Sequence, residues 1–212
     1  MIFAVTRYGG ALCHASDELK NKKDIVTTGV AQWSNALKYA SNKMKNNTDV
    51  VTIAVTKNGR VLCHVSDELK NSAQVVTIAV TQAGQALRYA SNELKNNEQI
   101  VTAAVTQDGE ALVYASNELM NNKQIVTASA TQKGSILYFA PNAMRSNKQV
   151  VIAAVTQAGL ASGAASNELK NDEQVAIAAV TEDGGALCAA SNELKNNERV
   201  VTIAVTQDGT SL

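Results

Sequence analysis

The sequence predicts an all-α protein, a solenoid of helical repeats stacked into a right-handed superhelix or rod. Two observations carry this prediction: a motif recurs every 25 residues, and apolar columns inside each repeat have helical spacing. The motif is A-L-x-Y-A-S-N-E-L-K-N-N in its commonest form, and it begins at Ala11, Ala36, Val61, Ala86, Ala111, Ile136, Ala161 and Ala186. Residues 1–212 are therefore predicted to form a single α-solenoid domain.

Eight complete repeats account for almost the whole chain. They run over residues 10–34, 35–59, 60–84, 85–109, 110–134, 135–159, 160–184 and 185–209, with partial repeats 1–9 and 210–212. Numbered in this order, they are repeats 1 to 8. One repeat is too small to bury enough apolar surface to stay folded, so each is expected to depend on its neighbours.

The second half of each repeat is predicted to be a helix. In repeat 4 the apolar residues have the spacing i, i+1, i+4, i+5 of one helix face, at Ile100, Val101, Ala104 and Val105. The many Val and Thr residues favour a strand by propensity, but propensity is a weaker signal than periodicity. A leucine-rich-repeat-like β/α horseshoe is the alternative, because 25 residues lies within that repeat length.

The first half of each repeat also has helical spacing, i, i+1, i+4 and i+8, at Ala86, Leu87, Ala90 and Leu94 in repeat 4. Asn96 or Asn97 is predicted to cap the second helix. Pro141 occupies the column that holds Ser in other repeats. Since proline breaks a helix interior, the first helix can instead be two short pieces meeting at this column.

Glycine is predicted to end each second helix as a left-handed C′ residue. It stands at Gly59, Gly84, Gly109, Gly134, Gly159, Gly184 and Gly209, and Ser34 is the exception.

Composition excludes several classes of partner. Lys and Arg number 19 and Asp and Glu also number 19, so no net charge attracts nucleic acid or an anionic membrane. No apolar run approaches the roughly 20 residues that span a bilayer. We therefore expect a protein partner, with no nucleic acid and no membrane.

Residues 86–109, ALRYASNELKNNEQIVTAAVTQDG, resemble the repeat of the family called domain of unknown function 4116. The resemblance extends over essentially the whole chain. It implies a repeat protein of the type found in microbial eukaryotes and intracellular bacteria, some of them suspected host-directed effectors. It implies no catalytic residues, and the present chain differs by Asn where the family often has Asp, and by Thr in the second helix.

Two adjacent columns of the first helix vary most and are candidates for a partner-binding surface. We call the selected aromatic, imidazole and cationic side chains the variable row: His14, Lys38, Tyr39, His64, Arg88, Tyr89, Tyr114, Tyr138 and Phe139. Tyr and Arg are common anchors of protein interfaces. The alternative is that the aromatic rings only fill space between neighbouring helices.

The pairs Cys13-His14 and Cys63-His64 are not expected to bind a metal. Adjacent residues do not face each other on a helix, and two repeats separate the pairs by roughly 20 Å. The same separation prevents a disulfide. Free thiols fit the cytoplasm or another reducing compartment, with secretion into a host cell left open. No cofactor and no enzymatic activity are expected.

Threonines recur in the second helix, as at Thr102 and Thr106. They are expected to bond back to carbonyls of their own helix, with ice binding as a remote alternative.

The ends of the array lack polar caps. The leading functional hypothesis is a non-catalytic scaffold for protein–protein interaction, either an effector-type protein or a fragment of a longer repeat protein. The alternative is a structural protein that polymerises head to tail through its uncapped ends.

Overall fold

Each repeat contains three helices rather than the two expected. The computed structural model describes residues 2–207, with side chains from residue 5 onwards, and within that range it has no strand. The chain is an all-α repeat solenoid. Its long α-helices are Lys23–Gln32, Thr48–Lys57, Ala73–Gln82, Glu98–Gln107, Lys123–Gln132, Lys148–Gln157, Glu173–Glu182 and Glu198–Gln207, preceded by Ile2–Arg7.

The predicted first helix is divided into a 3₁₀ helix and a short helix. The 3₁₀ helices are Gly9–His14, Ser34–Tyr39, Gly59–His64, Gly84–Tyr89, Gly109–Tyr114, Gly134–Phe139, Gly159–Ala164 and Gly184–Ala189. The short α-helices are Asp17–Lys20, Asn42–Lys45, Asp67–Lys70, Asn92–Lys95, Asn142–Arg145 and Asn167–Lys170. Leu119–Asn121 and Leu194–Asn196 are 3₁₀ turns in the equivalent places.

The division falls at the serine column, as Pro141 indicated. In repeat 4, Ala90 has φ −65° and ψ 158°, and Ser91 has φ −60° and ψ 159°, so both are extended. The Ser91 hydroxyl accepts a hydrogen bond from the Leu94 amide at 3.2 Å and thereby caps the short helix. Pro141 fits the same position because its φ of −59° is close to the value that its ring imposes.

The predicted apolar columns form the core. Ile100, Val101, Ala104 and Val105 are all buried, and so are their counterparts Ala86, Leu87, Ala90 and Leu94 in the 3₁₀ and short helices. Asn97, rather than Asn96, caps the long helix by accepting the Ile100 amide at 3.1 Å. Helical periodicity therefore identified the buried face of both halves of the repeat.

The glycine prediction is wrong. None of the described glycines has a positive φ, and Gly209 lies outside the described residues. Instead, glycine begins the 3₁₀ helix at a point where the next long helix comes close. A Cβ on Gly59 would overlap the carbonyl oxygen of Ala79 and lie 2.8 Å from its carbonyl carbon. Glycine is required there by the close approach of two backbones, and not by a left-handed conformation.

The chain forms two compact units, Met1–Ala115 and Ser116–Leu212. Within the described part of each unit, successive long helices pack on one another, as Thr48–Lys57 does on Ala73–Gln82. Successive 3₁₀ helices also pack on one another, as Gly59–His64 does on Gly84–Tyr89. Over residues 2–207, no helix combines the length and apolarity needed to cross a membrane.

Candidate functional site

The 3₁₀ helix places the variable row on its outer side. In Gly84–Tyr89, Ala86 and Leu87 turn inward and are buried, whereas Arg88 is exposed and Tyr89 is half-buried. The same division holds in repeat 2, where Lys38 is exposed and Tyr39 half-buried. The hydrophobic pair fixes the helix on the core, and the last two residues are left on the surface.

In the first unit, Lys38 lies near two aromatic rings, and a third ring stacks on one of these two. The Lys38 ammonium lies 4.6 Å from the ring centre of Tyr39 and 5.4 Å from that of Trp33. Trp33 in turn lies 6.4 Å from Tyr8, with their ring planes at 12°. Tyr8 is 67 % exposed. Cation–π and ring contacts therefore hold a partly exposed aromatic surface around one lysine.

Arg88 makes a second cation–π group in the same unit. Its guanidinium carbon lies 5.1 Å from the Tyr89 ring and 5.7 Å from the Tyr114 ring of the next repeat. Both tyrosines are half-buried. Tyr89 and Tyr114 thus pack partly against the fold and remain partly accessible to solvent.

The imidazoles of the row have different surroundings. His14 is exposed and His64 is half-buried. Burial lowers the pKa of His64, and the positive charges of Lys45, Lys38 and Lys70 lower it further. Burial likewise raises the pKa of the adjacent Cys63 thiol. At neutral pH, His64 is therefore an uncharged ring beside several ammonium groups.

The second unit carries an apolar patch at the corresponding columns. Tyr138 is 55 % exposed and Phe139 is 64 % exposed. The Tyr138 hydroxyl donates to the Leu160 carbonyl at 2.9 Å, and it lies 3.0 Å from where a Cβ on Gly163 would be. Leu160 is itself 53 % exposed. Glycine in repeat 7 thus leaves room for the tyrosine of repeat 6.

The constant polar residues of the motif join one repeat to the next. The Ser66 hydroxyl donates to Asn46 Oδ1 at 2.6 Å, and the Ser66 amide donates to the Lys45 carbonyl at 3.1 Å. Asn46 Nδ2 donates to Glu68 Oε2 at 2.7 Å. Equivalent serine–asparagine bonds join Ser41 to Asn21, Ser91 to Asn71 and Ser191 to Asn171. We call these bonds the inter-repeat ladder. They give the serine and asparagine of the motif a structural role, since these residues connect successive repeats.

Repeat 6 departs from the inter-repeat ladder. Pro141 replaces the serine and has neither an amide hydrogen nor a hydroxyl, and Ser146 replaces the asparagine. The Ser166 amide still donates to the Arg145 carbonyl at 3.0 Å. The backbone hydrogen bond between repeats 6 and 7 is therefore retained, although Ser146 replaces the asparagine side chain that accepts in other repeats.

Threonine hydroxyls in the long helices are used locally. Thr81, Thr106 and Thr206 donate to the carbonyls of Thr77, Thr102 and Thr202 at 3.0, 2.8 and 2.7 Å. This is the back-bonding expected from the sequence.

Cys13, Cys63 and Cys188 are free thiols. Within the described part of the chain, no three His, Cys, Asp or Glu side chains are grouped so as to hold a metal.

Sequence reasoning missed Tyr8, Trp33 and Leu160 as neighbours of the variable row. Trp33 and Tyr8 occupy the position before the 3₁₀ helix, where Trp33 is extended with φ −146° and ψ 104°. Helical periodicity does not apply to an extended residue. The available signal was that Trp33 is the single tryptophan of the chain.

Family comparison agrees with this repeat architecture. Seven segments match the model of the domain of unknown function DUF4116, at residues 1–45, 23–70, 72–120, 97–145, 122–170, 147–194 and 172–212, and all neighbouring segments overlap except the second and third. The chain belongs to the DUF4116 family. No curated protein and no solved structure shows significant similarity to it. In this chain the DUF4116 motif supplies the apolar core, the capped short helices and the inter-repeat ladder.

Proposed function

We propose that this DUF4116 protein is a non-catalytic scaffold that binds a protein partner through the variable row. The observation that carries the proposal is the clustering of Trp33, Tyr39 and Lys38, with Arg88, Tyr89 and Tyr114 as a second group. Aromatic rings and arginine supply much of the energy of protein interfaces. Cation–π contacts already order these side chains, which lowers the entropy that binding costs.

The other columns of the repeat have structural tasks, which supports this choice of surface. The apolar columns fill the core, serine and asparagine form the inter-repeat ladder, and several threonine hydroxyls bond to their own helices. The variable row differs from repeat to repeat while the 3₁₀ helix beneath it is retained. Variation on a constant backbone is the usual arrangement of a repeat-protein binding surface.

The test is capture of partners from extracts of the cell in which the protein occurs, followed by cross-linking and mass spectrometry. Replacing Tyr39, Tyr89 and Tyr114 with Ala should abolish capture while leaving the helical circular dichroism unchanged. The matched control replaces three exposed threonines, Thr77, Thr102 and Thr202, with Ala. Equal capture by the tyrosine variant and the wild type would refute this surface.

Head-to-tail self-assembly is the second candidate. Val201 and Val205 in the last described long helix are half-buried, whereas Val76 and Val80 at the same columns of repeat 3 are buried. Such a face can accept another repeat. Light scattering over a hundredfold range of concentration tests this: growing mass supports assembly, and a constant monomer mass contradicts it.

A further inference from the structure

Repeat 2 differs in charge from every other repeat. Its segment 34–47 contains Lys38, Lys43 and Lys45 and no Asp or Glu. Lys43 stands in the column that holds glutamate in six of the seven other repeats, Glu18, Glu68, Glu93, Glu118, Glu168 and Glu193. Repeat 2 therefore carries an ammonium in place of a carboxylate on the short helix Asn42–Lys45, which directly follows the 3₁₀ helix Ser34–Tyr39 and packs on it.

Among the residues that the structure describes, none of the three lysines has a carboxylate partner. Among the ion pairs of the described residues, the neighbouring repeats pair Lys22 with Glu18 at 2.9 Å and Lys70 with Asp67 at 3.0 Å. Within the same part of the chain, neither Lys43 nor Lys45 has an acidic group within 4.0 Å, and Lys38 contacts only rings. Lys43 and Lys38 are exposed, and Lys45 is half-buried.

The positive region is short because carboxylates lie on both sides of it. The short helices of repeats 1 and 3 begin with Asp17-Glu18 and Asp67-Glu68. Glu68 is held beside repeat 2 by its 2.7 Å bond from Asn46. A long polyanion such as a nucleic acid would meet these carboxylates, whereas a few acidic side chains fit between them.

We propose that the repeat-2 surface, formed by Trp33, Lys38, Tyr39, Lys43 and Lys45, binds a short acidic peptide segment that carries an aromatic side chain. The peptide carboxylates pair with the lysines, and its aromatic ring lies on Trp33 and Tyr39. This proposal rests on the proposed scaffold function and gives the chemistry of the partner.

Trp33 supplies the assay, because it is the single tryptophan and lies within the surface. Its fluorescence is followed while the protein is titrated with a peptide of glutamates around a central phenylalanine. The Gln analogue and the Lys analogue of that peptide are the references. The glutamate peptide should bind about tenfold or more tightly than the Gln analogue, and its affinity should fall as salt is added.

The decisive variant is Lys43→Glu, which restores the residue of the other repeats. The new carboxylate can accept from Asn21 as Glu68 accepts from Asn46, so the fold should be retained. We expect affinity for the glutamate peptide to fall about tenfold, since two unit charges change beside the ligand. The matched control is Lys123→Glu, which is the same change at an exposed position where Glu98, Glu173 and Glu198 stand in other repeats. It should leave affinity unchanged.

Each contrary result has a distinct meaning. Equal binding of the glutamate peptide and its Gln analogue, or no effect of Lys43→Glu, overturns the acidic partner. If Tyr39→Ala still abolishes binding in that case, the scaffold surface stands. Tighter binding of a single-stranded oligonucleotide or of anionic vesicles overturns the peptide as the ligand. Absence of any peptide binding overturns this proposal, and only unchanged partner capture by the tyrosine variant would also overturn the scaffold function.

Discussion

Replacing Gly59 with Ala distinguishes two predictions for how the glycine that begins a 3₁₀ helix affects stability. Gly59 has a negative φ and lies in a 3₁₀ helix, so backbone entropy alone predicts that alanine stabilises the protein by roughly 0.4–1 kcal/mol. The close approach of Ala79 predicts the opposite. The added Cβ would overlap the Ala79 carbonyl oxygen and lie 2.8 Å from its carbonyl carbon and 3.2 Å from its Cα.

The magnitude follows from the separation that the methyl group requires. Non-bonded carbons prefer roughly 3.5–4.0 Å, so the two backbones must part by about 1 Å at this point. A gap of that size forfeits about a quarter to a half of the dispersion energy of the side chains around it. Val61, Leu62 and Val76 are fully or almost fully buried there, and each contributes about 1.5–3 kcal/mol by burial. We expect Gly59→Ala to lower the free energy of unfolding by about 2–4 kcal/mol.

Urea unfolding followed by circular dichroism measures this change, and hydrogen exchange of the Ala83 amide, which donates to the Ala79 carbonyl, reports the local opening. The control is Gly185→Ala, where the nearest atom is the Asp183 carboxylate oxygen at 3.1 Å and repeats 2 to 7 carry larger side chains. That variant should be neutral or slightly more stable. A Gly59→Ala protein as stable as the wild type would show that the close-approach reasoning is wrong.

Three further predictions concern the buried hydroxyl of Ser162, the hydrogen bonds of Ser66 and the protonation of His64. Ser162 replaces the buried leucine of the other repeats, and its hydroxyl has no hydrogen-bond partner among the described residues. Ser162→Ala should therefore raise the free energy of unfolding by about 1 kcal/mol, and a decrease would contradict this. Ser66→Ala removes both a helix cap and the bond to Asn46, and should cost about 1–2 kcal/mol in the same urea assay, with Ser66→Thr restoring part of it. Because the pKa of His64 is lower in the folded protein than in the unfolded chain, the unfolded chain binds a proton at a higher pH than the folded protein does. The free energy of unfolding should therefore decrease as the pH falls below 6.5. His64→Gln should make the unfolding midpoint less dependent on pH in that range, and an unchanged dependence would exclude His64 as its source.

The buried faces were predictable because each is determined by local spacing. Ile100, Val101, Ala104 and Val105 could be assigned to the core from one repeat and checked against the other seven. The divided first helix was signalled only by Pro141, since serine is compatible with a helix interior as well as with a cap. The eight-fold repetition of the sequence could not distinguish these two roles of serine.

The role of glycine could not be obtained from local sequence. A helix end and a backbone contact both require glycine, and the contact depends on a residue twenty positions further along, as Gly59 and Ala79 illustrate. The surface around Lys38 was only partly predicted for a related reason. Trp33 and Tyr8 are outside any helical face. Trp33 reaches Lys38 from an extended position, and Tyr8 stacks on Trp33.

The inter-repeat ladder has a consequence for how such chains change in length. Apart from repeat 6, each repeat has the asparagine that can accept from its successor and the serine that can donate to its predecessor, so the joints that follow this pattern are chemically alike. Deleting or duplicating 25 residues in register brings together a donor and an acceptor that already match. Unequal recombination can therefore yield longer or shorter arrays that fold without compensating substitutions, and natural selection can vary the number of surface positions independently of the fold.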